Sequence, residues 1–132
     1  MKTLSLILFG GFFLFASPAI AQWEHPFEKE LADSLAEVNS DHEKAAYYSL
    51  YTSKWEEQIK SMIHDMGGMS NIKLTKSQTA WENYRKLESE HIEHRYKNLS
   101  GTMYIRLAAM EKYNLIHARG KILYGYYSRM EN

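Results

Sequence analysis

Apolar residues recur along this chain at the spacing of helices. Ala45, Tyr48, Trp55, Ile59, Met62 and Met66 follow one another at steps of three, four or seven residues, while Lys54, Glu57 and Lys60 fall off that stripe. Such a pattern predicts a long amphipathic helix with one buried face. A shorter stripe of Leu31, Leu35 and Val38 predicts a helix over 28–38, and Asn39-Ser40-Asp41 then offers side chains suited to capping the long one. Gly67-Gly68-Met69-Ser70 ends the long helix. Thr75 is the expected N-cap of a third helix reaching about Asn98, with Leu74 before it as a hydrophobic staple. After the break at Leu99-Ser100-Gly101, a last helix runs from Thr102 to Arg129. Its inward face is expected to carry Ile105, Ala109, Ile116, Leu123, Tyr126 and Met130, and Gly120 and Gly125 permit close helix contact. No stretch alternates apolar and polar residues as a half-buried strand would. The expected fold is therefore all-α: an up-and-down antiparallel helical bundle of three long helices plus a short N-terminal helix, since short connections favour antiparallel neighbours.

Two of these stripes contain a charge where packing is expected. Trp81, Tyr84, Glu88 and Ile92 share one face of the third helix, and Ile116, Arg119, Leu123 and Tyr126 share one face of the fourth. A guanidinium buried without an acidic partner costs several kcal/mol. Glu88 and Arg119 are accordingly expected to meet as an interhelical salt bridge, flanked by Trp81 and Tyr84, with Gln78 or tyrosine hydroxyls satisfying the remaining hydrogen bonds. Arg85, at the edge of the stripe, has Glu88, Glu82 or the surface within reach and is a candidate binding residue.

The N-terminus changes where the protein is expected to act. Lys2, the apolar run Leu4 to Phe15 and the small-x-small sequence Ala19-Ile20-Ala21 have the form of a cleaved signal peptide over 1–21. That predicts a periplasmic or secreted product, with a flexible arm over 22–27 and one helical domain over 28–132. No later segment is apolar for long enough to anchor it in a membrane. Small exported domains often rely on disulfides, but this chain has no Cys; its ten Tyr and three Trp suit a core held by aromatic burial instead. The 16 basic residues equal the 16 acidic ones, and loss of Lys2 would leave one net negative charge. Such a balance argues against nucleic acid as a partner.

The run Leu74 to Glu88, containing Gln78, Ala80, Trp81, Tyr84, Arg85 and Glu88, is followed by Gly101 and later by Leu115 and Arg119. In this order and spacing it resembles the LprI-like lysozyme-inhibitor domain, over roughly Ser40 to Tyr127. Family members commonly carry cysteines on the last two helices, where this chain has Ser89 and Glu111, so it would be a cysteine-free variant. The resemblance implies an envelope protein that binds and occludes lysozyme or another peptidoglycan hydrolase. A hydrolase cleft works through two carboxyl groups, and a narrow glycine-bearing turn can enter it where a helix cannot. Both turns are first of all helix connections. Of the two, Gly67-Gly68-Met69-Ser70-Asn71 is the preferred plug over Asn98-Leu99-Ser100-Gly101, being longer and carrying Met69. Two alternative partners stay open: a non-hydrolase envelope protein bound by a structural module, or a toxin bound by an immunity protein.

His91 and His94 lie beside Glu88, Glu90 and Glu93, but a di-iron bundle needs a second Glu-x-x-His element, and zinc needs a third ligand such as His64 or His117. Neither pattern is complete. No metal or other cofactor is expected. With no Cys, no nucleophile elbow and no phosphate-binding glycine loop, the chain does not read as an enzyme.

Overall fold

The computed structural model describes residues 24–131, so the expected signal peptide lies outside them. Four α-helices make up the described chain: α1 (Pro26–Ala36), α2 (Asp41–Asp65), α3 (Ile72–Tyr96) and α4 (Thr102–Met130), with a 3-10 turn at Gly68–Ser70. The described residues are all-helical, with three long helices and one short one, and contain no strand.

The caps explain the boundaries. Ser40 accepts from the Glu43 amide, which caps the start of α2, while its hydroxyl donates to the Glu43 carboxylate at 2.6 Å. At the other end, Gly67 adopts φ 108°, a left-handed conformation that turns the chain sharply. Asn71 serves both helices that meet there: its amide nitrogen donates to the Met66 carbonyl and its oxygen accepts from the Leu74 amide. Consequently Asn71 caps α3 and the helix begins at Ile72, four residues earlier than a Thr75 cap would place it. That threonine lies in the first turn and donates to the Gly68 carbonyl at 3.0 Å.

Paired contacts give the running directions. Asp41 meets Arg106, Tyr48 packs on Tyr113, and Trp55 packs on His117, so α2 and α4 run side by side in the same sense. Tyr96 approaches Tyr104 and Gln78 meets Arg119, so α3 runs against α4. Phe27 packs on Trp55, Glu30 reaches Tyr51 and Lys54, and α1 returns along α2. The most extensive interface is thus between α2 and α4, which are not sequence neighbours. The antiparallel contacts expected between consecutive helices flank this parallel pair.

The core fills that seam with Tyr51, Trp55, Ile59, Met62, Tyr113, Ile116 and Leu123, and α1 adds Leu31. Gly120 explains how close the helices come: a Cβ there would lie 2.3 Å from the indole of Trp55. The expected face of α4 needs correction at its ends, because Ile105, Tyr126 and Met130 are exposed. The arm expected over 22–27 also changes character. Gln22 and Trp23 lie outside the described residues, but His25 is buried and Pro26 already begins α1.

Candidate functional site

The end of the molecule where α2 turns into α3 presents the preferred plug. Gly67, Gly68, Met69, Ser70 and Asn71 form a tight turn held from both sides by the Asn71 and Thr75 hydrogen bonds. Nothing covers its tip: Met69 is 90% exposed and Ile72 63%. The turn carries no charge of its own. The other turn, near Leu99, lies at the opposite end, where α4 begins against Asp41.

The residues that carry the family resemblance separate into two groups. Gln78, Trp81 and Arg85 line one groove of about 240 Å³, whose far wall comes from Glu56 and Ile59 of α2. Arg119 joins them from α4. Its Nε donates to the Gln78 amide oxygen at 3.0 Å, and the Gln78 nitrogen donates on to Glu82 at 3.2 Å. A second donation goes to the Ser77 hydroxyl at 3.3 Å. Arg85 takes Glu56 of α2 as its partner rather than Glu82, Glu88 or solvent. The guanidinium carbons of Arg85 and Arg119 lie 5.7 and 5.9 Å from the centre of the Trp81 ring.

Tyr84 and Glu88 stay outside this cluster. Tyr84 is half exposed, and Glu88 makes no ion pair with Arg119. The expected Glu88–Arg119 bridge is therefore incorrect. Gln78 and Glu88 are ten residues apart, about 15 Å along a helix, and Arg119 meets α3 at the Gln78 level. A neutral amide relays the buried cation to Glu82 in place of a direct salt bridge. Burial pushes the Arg119 guanidinium below its ordinary value, and the Tyr126 phenol opposes that.

A second polar cluster, not singled out by the sequence pattern, joins α1 to α4. One oxygen of Glu28 lies 2.6 Å from His117 Nε2 and 3.0 Å from the Lys121 ammonium. These three, with Glu24 and Tyr113, line a cleft of about 360 Å³. Burial pushes the Glu28 carboxyl up, but hydrogen bonds from Lys121 and His117 outweigh it and hold the group below the usual carboxylate range. Tyr113 stacks on His117 at 5.3 Å, and burial raises its phenol. Beside the cleft, His25 contacts Phe27, Trp55 and Tyr124 with ring centres 4.3 to 5.0 Å apart. His25 Nδ1 accepts from the Phe27 amide and caps α1. The sequence signal for the His25 cap, though not for the Glu28 cluster, is Pro26, a favoured first residue of a helix, directly after a histidine able to cap it.

His91 and His94 are exposed on α3, and Glu93 pairs with Lys112. Among the described residues, no three His, Asp or Glu side chains are gathered closely enough to hold a metal ion. None of the described helices is long and apolar enough to cross a membrane. Comparisons with family models, with curated proteins and with solved structures return no match.

Proposed function

We propose that this chain is an exported binding protein of the lysozyme-inhibitor-like kind, which occludes a peptidoglycan muramidase with the turn from Gly67 to Asn71. The observation that carries this reading is a pinned turn with an uncovered tip. Met69 is 90% exposed on a segment whose backbone is held by Asn71 and Thr75, so little conformational freedom remains to be lost on docking. A thioether on a narrow turn adapts to irregular apolar surfaces. The residues of the family resemblance then act behind the tip: Gln78, Arg119 and Trp81 fix α3 against α4, and so fix the direction in which the turn projects.

The test is lysis of a peptidoglycan suspension by a panel of lysozymes with the protein in excess. Slowed lysis with at least one enzyme is expected, relieved by Met69→Asp. Unchanged rates across the panel would remove this reading.

One observation favours a second reading. The tip is apolar and uncharged, with Met69 and Ile72 exposed together, which suits an apolar patch on a partner better than a pair of catalytic carboxylates. An envelope interaction module, or an immunity protein bound to a toxin, would use the same tip. Stoichiometric recovery of a non-hydrolase partner from envelope extract, lost in Met69→Asp, favours it over inhibition.

A further inference from the structure

We infer that His25 and Phe27 form an acid-opened lid over the buried indole of Trp55, hinged on the anchor that Glu28 makes with His117 and Lys121. This device is independent of the proposed turn, which lies elsewhere on the molecule.

Three observations build the lid. First, His25 Nδ1 accepts the Phe27 amide proton at 3.2 Å, so the cap exists only while that nitrogen carries no proton. Second, the imidazole is buried among Phe27, Trp55 and Tyr124, and none of its hydrogen bonds goes to a carboxylate that would welcome a cation. Third, Trp55 is fully buried, with its ring centre 4.6 Å from the imidazole and 5.4 Å from the Phe27 ring, so the pair covers it. Opening the lid lets water reach the indole, whose N–H then exchanges with solvent.

The charges facing His25 set the balance. Burial pushes its imidazole below the ordinary value, Glu28 and Glu30 of α1 pull it back up, and His117 of α4 pushes it down further. Lys54 and Tyr51 of α2 hold Glu30, while Lys121 and His117 of α4 hold Glu28. Tyr124 of α4 offers only its ring to His25. Both carboxylates are thus already engaged, and burial prevails.

Protonation of Nδ1 turns the cap's acceptor into a donor facing the Phe27 N–H, and the two repel. The turn at His25–Phe27 then swings out while Glu28 remains bound. Glu28 is held by both His117 and Lys121, and its carboxyl lies below the usual carboxylate range, so the hinge survives the acidity that opens the lid. Opening sets in as pH falls below the 6.5 at which a free imidazole titrates, and stays confined to the first turn of α1 until the carboxylates themselves titrate.

Exchange of the Trp55 indole proton and of the Phe27 amide, followed by NMR from about pH 7.5 to about pH 5.5 and corrected for intrinsic exchange, reads this directly; up to about tenfold faster exchange per pH unit below 6.5 is expected. Amides in the centre of α4 should keep their protection over the same range. In His25→Asn, which retains a good capping oxygen but cannot titrate, both rates should stay flat. Flat exchange in the unaltered protein, or an undiminished rise in His25→Asn, would overturn the inference. Should the variant misfold, titrating the His25 imidazole in the unaltered protein decides. A midpoint below 6.5 that coincides with faster Trp55 exchange supports the lid, and a midpoint at or above 6.5 overturns it.

Discussion

On one flank of the α2–α4 pair, α1 lays Phe27 and Leu31 onto Tyr51 and Trp55, and the seam beneath closes so tightly that Gly120 has no room for a Cβ. On the other flank α3 buries only Gln78 and Ile92, and Ile72, Tyr84 and Leu87 are exposed around it. Its attachments are directional instead: Arg85 to Glu56, Arg119 to Gln78, Arg95 and Tyr96 to Glu111, and Lys112 to Glu93. Burial of apolar area is worth more than exposed ion pairs, so the α1 side should carry the stability. Hydrogen bonds fix orientation, so the α3 side should carry the aim of the turn it extends from. The largest substitution effects should therefore fall in the seam.

Trp55→Ala removes the largest buried side chain of that seam and should cost about 3–5 kcal/mol in urea unfolding. Gly120→Ala is expected to cost about 1–3 kcal/mol, because the new methyl meets a fully buried ring rather than the flexible end of a side chain. An equally large loss on truncating Tyr84, half exposed on α3, would erase the contrast between the flanks.

Next in size stands the amide relay. Gln78→Leu leaves the Arg119 guanidinium buried beside Ser77 without its main acceptor and should cost about 1–3 kcal/mol. Arg119→Met removes the cation itself and should be milder, with the double variant close to Arg119→Met alone. Additive losses would mean that the two side chains do not act together.

Helix existence was legible in the sequence because periodicity and capping chemistry are local. Ser40 caps α2 and Gly67 ends it where expected, and the core positions from Ala45 to Met66 are buried or nearly so. The start of α3 is not legible because both Asn71 and Thr75 are good capping residues, and only the fold shows that Asn71 caps the helix. The Glu88–Arg119 pairing failed for a different reason. Helical spacing gives a residue's face but not its height, and height in an antiparallel pair follows from equal steps either side of the turn. Arg119 lies twenty residues after Leu99, and Thr79 lies twenty before it, beside Gln78. That arithmetic was available in the sequence. The α1–α4 cluster was not, since Glu28 and His117 are far apart in the chain and meet only because α2 and α4 run the same way.

Acid should loosen the tight flank first, although that flank carries the stability. Glu28 is held below its ordinary 4.5, so its contribution is present above that pH and is lost as pH falls through the folded value. Buried neutral His25 loses ground earlier, from 6.5 downward, because the unfolded chain takes up the proton first. Glu28→Gln should cost about 1 kcal/mol at neutral pH and reduce the acid dependence of the urea midpoint below 4.5. If the midpoint of the unaltered protein stayed constant from pH 6.5 down to 4.5, His25 would not be the group that titrates.

The smallest effects should fall on the partly exposed charges of α3. Arg85→Gln breaks the bridge to Glu56, whose side chains are 24% and 39% exposed, and should cost about 0.2–1 kcal/mol, less in high salt. Glu88→Gln should stay within about 0.5 kcal/mol of the unaltered protein, since Arg119 does not depend on it. A loss of several kcal/mol in Glu88→Gln would place a buried charge pair at that position after all, and α3 would then be held by the same physics as the seam. If Arg85→Gln instead leaves stability nearly unchanged but weakens binding through the Met69 turn, the polar flank governs where α3 points, because its bridge to α2 sets the tilt of the helix from which the turn projects.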